Sequence, residues 1–153
     1  MNEADRKSWI QETASEAQAG NHIWPEYAAC EGALESNFGQ SELAQKGFNL
    51  FGMKVHTHSE YGQLGEIALP TKEFINGEWV TKNAYFIAYP RLADCFTDRM
   101  KTLQRLRFAY PHYNNALNAP DGETFVREVS QTWSTDPNRA EKVLSIYGEF
   151  FKN

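Results

Sequence analysis

The sequence predicts an α+β fold, mostly α, and three observations carry that reading. Most of the chain places apolar residues at helical spacing, with proline, asparagine, serine or aspartate at the openings of the periodic stretches. One segment, residues 66–89, breaks instead into two β-prone runs around Ile75-Asn76-Gly77, and Asn-Gly between such runs is a strong short hairpin signal. The order is helices, one hairpin, helices, which is not the alternation that builds a parallel sheet.

Taken in order, Asn2–Gln18 is rich in helix formers, with Trp9, Ile10, Ala14 and Ala17 near helical spacing. Asn21-His22-Ile23-Trp24 interrupts it. Pro25 suits a first helical turn, so a second helix is expected through Glu26–Phe38, stopped by Gly39. A short helix over Ser41–Lys46 follows, then a loop over Gly47–Gly65. After the hairpin, Pro90 opens a helix over Arg91–Ala109, with Leu92, Cys95, Phe96, Met100, Leu103 and Leu106 on one stripe. Pro111 and Asn114-Asn115 mark a break and a short helix. Asp121 caps a helix to about Thr132, and Asp136-Pro137 is expected to open the last helix, to about Phe151.

Composition excludes several classes. A chain of 153 residues can bury a core without metals or disulfides, and we read 1–153 as one domain. No apolar run is long enough for a membrane helix, so membrane insertion is not expected. A net charge of −5 with scattered basic residues argues against a nucleic-acid partner. Cys30 and Cys95 sit among apolar residues and read as buried small hydrophobes, not as nucleophiles. His56 and His58 lie two apart on a loop with no further ligand motif, so no metal is expected. The first seven residues mix acids and bases and lack an apolar core, so no secretory signal is read there.

The informative stretch is Glu31-Gly32-Ala33-Leu34-Glu35. Glu31 and Glu35 stand four apart, beside the stripe of Tyr27, Leu34 and Phe38. A carboxyl beside apolar groups, with a like charge next to it, disfavours ionisation. A carboxylic acid kept protonated can donate to a leaving oxygen, the task of a glycosidase acid. Glutamates at this spacing also suit a plain solvated face. Glu35, however, falls in the last turn, where the helix dipole disfavours an anion, and such local conflicts cluster at functional sites.

Ala33-Leu34-Glu35-Ser36-Asn37-Phe38-Gly39-Gln40-Ser41, followed by Asn49-Leu50-Phe51-Gly52-Met53-Lys54, resembles the signature of the glucosaminidases of glycoside hydrolase family 73. That family includes flagellar-rod peptidoglycan hydrolases, autolysins and phage endolysins. Thr71-Lys72-Glu73-Phe74 with Asn76-Gly77, Phe86-Ile87-Ala88-Tyr89-Pro90 with Asp98, and Trp133-Ser134-Thr135-Asp136-Pro137 agree with its later segments, so the likeness runs from about residue 10 to 147. It implies a lysozyme-like fold with a helical lobe and a small β-lobe, about 60–89, flanking a substrate cleft. It implies Glu35 as proton donor and Glu73, on the hairpin, as the second catalytic carboxylate, with Glu66 its nearest rival.

The resemblance further implies Asn49, Phe51, Tyr89 and Trp133 as substrate-binding residues. Trp133 stands where the family has a cleft tyrosine, and it reads either as a sugar platform or as core. Glu31 stands where the family often has glutamine. The implied activity is peptidoglycan hydrolysis by an endo-β-N-acetylglucosaminidase without cofactor. The expected partner is the glycan strand, the expected state a monomer, and the expected setting a phage or prophage endolysin made in the cytoplasm and acting in the periplasm or wall. An N-acetylmuramidase, a lytic transglycosylase and a non-catalytic wall-binding domain are the alternatives.

Overall fold

A computed structural model describes residues 1–55 and 66–152. Helix α1 spans Glu3–Ala19, α2 Pro25–Ser36 and α3 Glu42–Gly47; strands β1 (Glu66–Ile75) and β2 (Glu78–Ile87) follow, then α4 (Leu92–Leu106), α5 (Pro111–Leu117), α6 (Gly122–Trp133) and α7 (Arg139–Phe150). The expected α+β, mostly α architecture is the one observed. No described helix is long and apolar enough to cross a membrane. The histidine pair at 56 and 58 lies outside the described residues.

Local chemistry explains most boundaries. Asn2 caps α1 in a reciprocal arrangement with Asp5. Pro25 takes the first position of α2. The Asp121 side chain accepts from Thr124 N (2.7 Å) at the start of α6. The hairpin turns on Asn76 (φ +52°) and Gly77 (φ +82°), the two left-handed residues that a tight two-residue turn demands, and its ten-residue strands pair in antiparallel register from Glu66↔Ile87 to Ile75↔Glu78.

Three ends differ from expectation. α4 stops at Leu106, not Ala109, where Ala109 N and Tyr110 N both donate to Leu106 O (3.1 and 2.9 Å). α2 stops at Ser36, before Phe38, because the Ser36 hydroxyl donates to Gly32 O (2.6 Å) and accepts from Gly39 N (2.8 Å). Asn37, Phe38 and Gly39 then run left-handed in succession. α7 opens at Arg139, not at Asp136-Pro137, because the Asp136 carboxylate accepts from Asn138 N (2.9 Å) in a turn ahead of the helix.

The apolar interior falls into two connected parts. One gathers Ile10, Cys30, Ala33, Leu103, Phe125, Val126, Val129 and Val143 around α2. The other joins Ala28, Leu50, Phe51, Met53, Ile87 and Phe96, and so ties the 49–54 loop and the base of the hairpin to the helices. Burial pushes the Cys30 thiol up beyond its ordinary range and Cys95 up to about 12, so both stay neutral packing groups. Among the described residues only the hairpin base is covered this way. At its far end the cross-strand pair Phe74 and Trp79 leaves 61% and 71% of its surface in solvent.

Gly39 combines a left-handed backbone with a tight neighbour: a Cβ there would lie 2.4 Å from Trp9 Nε1. Gly77 has the same handedness and open space around it. Gly39→Ala should therefore cost about 2–4 kcal/mol and Gly77→Ala only about 1 kcal/mol, read from urea midpoints of the two variants.

Candidate active site

Glu35 sits in the last turn of α2 with 28% of its side chain exposed. Its Oε1 accepts from Arg139 Nε (2.9 Å), a residue of α7 that is 104 positions away in sequence and almost wholly buried. Arg139 Nη1 donates to Ser130 Oγ on α6 (2.8 Å), and Nη2 lies 2.8 Å from Glu31 Oε2. The anion expected to sit unsupported at a helix C-terminus thus has a counter-charge, supplied by a different helix.

Glu31 corrects the expectation of a second acid bordering the first on a surface. It is fully buried and holds a bidentate pair with Arg99 of α4, Nη1 to Oε1 at 2.7 Å and Nη2 to Oε2 at 2.8 Å. Burial alone would raise its carboxyl, but the guanidiniums of Arg99 and Arg139 outweigh that and hold it at about 2. It therefore stays ionised and belongs to a balanced group of two carboxylates and two guanidiniums.

The rest of the cluster follows from Arg99. Its guanidinium carbon lies 4.4 Å from the Trp133 ring centre and 4.6 Å from that of Phe51. Its Nη1 also meets His22 Nε2 at 3.1 Å. His22 Nδ1 lies 2.6 Å from Ile23 O, which assigns the proton to Nδ1 and leaves Nε2 to accept from Arg99. Burial, reinforced by the Arg99 charge, drives His22 down to about 3, so the imidazole is neutral.

The expected sugar-contacting residues divide. Trp133, half-buried, keeps part of its surface in solvent while covering Arg99. Asn49 is buried, with both amide hydrogens committed to Met53 O (2.9 Å) and Ile87 O (3.0 Å) and its oxygen accepting from Met53 N (2.9 Å). It staples the 49–53 turn to the hairpin base and has no donor left for an N-acetyl group. Phe51 is buried edge-on against Phe96 and Trp133. Tyr89 is buried and donates its hydroxyl to Asp98. In this conformation all three face the interior.

Glu73 projects from the uncovered half of β1, opposite Val80, with Lys82 Nζ 4.0 Å away. Glu66 is exposed at the start of the same strand, paired with Ile87. Among the described residues no hydrogen bond or ion pair joins Glu73 to Glu35. Sequence reasoning missed Arg99, Arg139 and Ser130, although a signal existed: Arg99 follows Cys95 by four and precedes Leu103 by four, on the buried stripe of its helix.

Both depressed groups tie stability to pH in the same sense. The unfolded chain binds protons at His22 below about 6.5 and at Glu31 below about 4.5, whereas the folded chain resists until about 3 and about 2. Stability is full above these unfolded values and is lost on acidification, His22 acting first. Between about pH 7 and pH 5 the wild type should lose about 2 kcal/mol, and His22→Gln should flatten that slope in urea titrations.

Comparison with known proteins fits this geometry. A family model described as glucosaminidase, mannosyl-glycoprotein endo-β-N-acetylglucosaminidase, matches residues 11–151. A probable N-acetylmuramidase of Lactococcus lactis subsp. lactis is 27% identical over 94% of this chain, and the exo-glucosaminidase LytG of Bacillus subtilis is 26% identical over 84%. The chain spans 33% and 45% of the lengths of these two proteins. The catalytic domain of the autolysin Auto from Listeria monocytogenes superposes with a TM-score of 0.76 at 21% identity, covering 98% of this chain and 86% of that one. A C-terminally truncated glycoside hydrolase domain of Salmonella typhimurium FlgJ gives 0.72 at 23%, covering 94% and 96%. The structural likenesses speak for a shared fold, and the family match over nearly the whole length places this chain in the glucosaminidase family of glycoside hydrolases, family 73.

Proposed function

We propose that the chain hydrolyses peptidoglycan as an endo-β-N-acetylglucosaminidase, cutting between N-acetylglucosamine and N-acetylmuramic acid. The observation that carries this reading is Glu35: a partly exposed carboxyl at a helix end, held by a buried guanidinium, in a chain of the glucosaminidase family. In its acid form Glu35 protonates the glycosidic oxygen. The bond from that oxygen to the anomeric carbon breaks, with its electron pair leaving on the oxygen, and water then adds to the anomeric carbon. Either Glu73 takes the proton from that water, or the substrate's N-acetyl oxygen attacks first and water opens the resulting ring.

The position of Glu73 on a hairpin covered only at its base suits a group brought to the substrate by the β-lobe, with the helix end forming the opposite wall. Trp133 offers the exposed part of its indole to a sugar face. Relatives named as N-acetylmuramidases favour one second reading, cleavage of the other glycan linkage on the same fold. The endolysin setting, with synthesis in the cytoplasm and action in the periplasm or wall, belongs to the same proposal. It is tested by whether lysis of expressing cells requires permeabilisation of the inner membrane.

Mass spectrometry of digested peptidoglycan decides the bond. Reducing-end N-acetylglucosamine is expected; reducing N-acetylmuramic acid would move the assignment to a muramidase, and the anhydro form to a transglycosylase. Glu35→Gln should lower the rate roughly a hundred- to ten-thousand-fold with the fold retained, and unchanged cleavage by that variant would overturn the reading. Glu73→Gln, at an exposed position, should slow cleavage roughly a hundredfold without moving the thermal midpoint.

A further inference from the structure

We infer that Arg139 is a positioning residue for the acid, and that Glu31 sets how firmly it holds the carboxylate form. This rests on the reading of Glu35 as proton donor. Arg139 is 1% exposed, hydrogen-bonded to Ser130 Oγ and Glu35 Oε1, and its buried Nη2 lies 2.8 Å from Glu31 Oε2 as an ion pair without hydrogen-bond alignment. A planar guanidinium that is enclosed on all sides and anchored through Nη1 to Ser130 has little freedom to follow Glu35, so the Nε–H direction is set before substrate arrives.

The first consequence is stereochemical. An oxygen that accepts from Arg139 Nε cannot also carry the proton on that lone pair. Oε1 keeps a second lone pair, but the carbonyl oxygen of a carboxylic acid is a better acceptor than its hydroxyl oxygen, so the Arg139 bond favours the acid form with its proton on Glu35 Oε2, which has no hydrogen-bond partner among the described residues. Arg139 thus selects which oxygen delivers the proton, and the angle at which it does so.

The second consequence is electrostatic. Arg139 is a cation beside a group that must be neutral to act, and by itself it would trap Glu35 as carboxylate. Glu31 counters this, since it lies on the same guanidinium and takes a share of its charge. The other groups facing the cluster do not supply that balance. Arg99 on α4 adds a second positive charge on the far side of Glu31, His22 against it is neutral, and Ser130 on α6 carries no charge. Asp136 and Lys142 pair with each other at 2.7 Å ahead of and along α7.

The test is the pH dependence of kcat/KM on purified peptidoglycan for the wild type, Glu31→Gln, Arg139→Gln and the double variant, with circular dichroism of each. In Glu31→Gln the Arg139 charge falls wholly on Glu35. The rate at about pH 8 should then fall roughly tenfold further, relative to that at about pH 5, than in the wild type. Arg139→Gln should lose rate at every pH and shift the balance in the opposite direction. The double variant should keep the low rate but recover a profile shape near that of the wild type. A uniform loss in Glu31→Gln, with profile shape unchanged, overturns the inference, as does a full rate in Arg139→Gln.

If the charge variants do not fold, Ser130→Ala leaves every charge in place and removes one anchor of Arg139. It should lower kcat with KM and profile shape unchanged, and an unaltered kcat overturns the positioning role. Failure of the proposed function is separate and visible: it would show as an active Glu35→Gln. An inactive Glu35→Gln beside an unshifted Glu31→Gln rejects this inference alone.

Discussion

The buried ion cluster of Glu31, Arg99 and Arg139 is the constraint on which the rest of the molecule depends. Three helices from distant parts of the chain, α2, α4 and α7, meet at one carboxylate, and the geometry leaves little choice of register between them. Ion pairs in an apolar interior need not stabilise a fold more than well-packed hydrocarbon would, because both charges lose their hydration. What they impose is directionality. A carboxylate with a bidentate partner on one side and a second guanidinium beside it fits one arrangement of helices, while an all-apolar seam would tolerate several.

That arrangement links folding to chemistry. The guanidinium that neutralises Glu31 also reaches Glu35, so the group proposed to transfer the proton is tethered to the centre of the helical lobe. Arg99 extends the cluster in the other direction, toward Phe51 and Trp133, and through them to the 49–54 loop that carries the hairpin base. Asn49 completes the connection by bonding Met53 and Ile87 at once. The β-lobe is thereby anchored at one end to the layer of side chains that surrounds the acid. Among the described residues its far half has only its own cross-strand pairs, and a two-stranded ribbon is marginal on those terms.

The sequence reading was reliable wherever a local rule decided the outcome. Pro25, Asp121 and Asn76-Gly77 each act through their own backbone geometry, and the structure has them where that chemistry puts them. It failed where a side chain competed with a rule. Ser36 ends its helix early by bonding Gly39, and Asp136 turns the chain before a helix that proline alone would have started. The site shows the same division. Glu35 could be singled out from its position at a helix end, but its partner lies 104 residues away and no periodicity points to it. Asn49, Phe51 and Tyr89 could be found as motif residues, yet a motif does not say whether a residue touches substrate or holds up the one that does.

The turn that follows Glu35 joins it to the amino-terminal helix. Three successive left-handed residues, Asn37 to Gly39, reverse the backbone directly beyond α2, and the reversal closes against the indole of Trp9. The amino-terminal helix is therefore part of the mould that shapes the end of α2. Tags, fusions or trimming at the amino terminus that disturb the seat of Trp9 act on the helix that carries Glu35, and changes at the end of α7 reach the same turn through the edge-on contact of Phe150 with Phe38, 5.8 Å between ring centres.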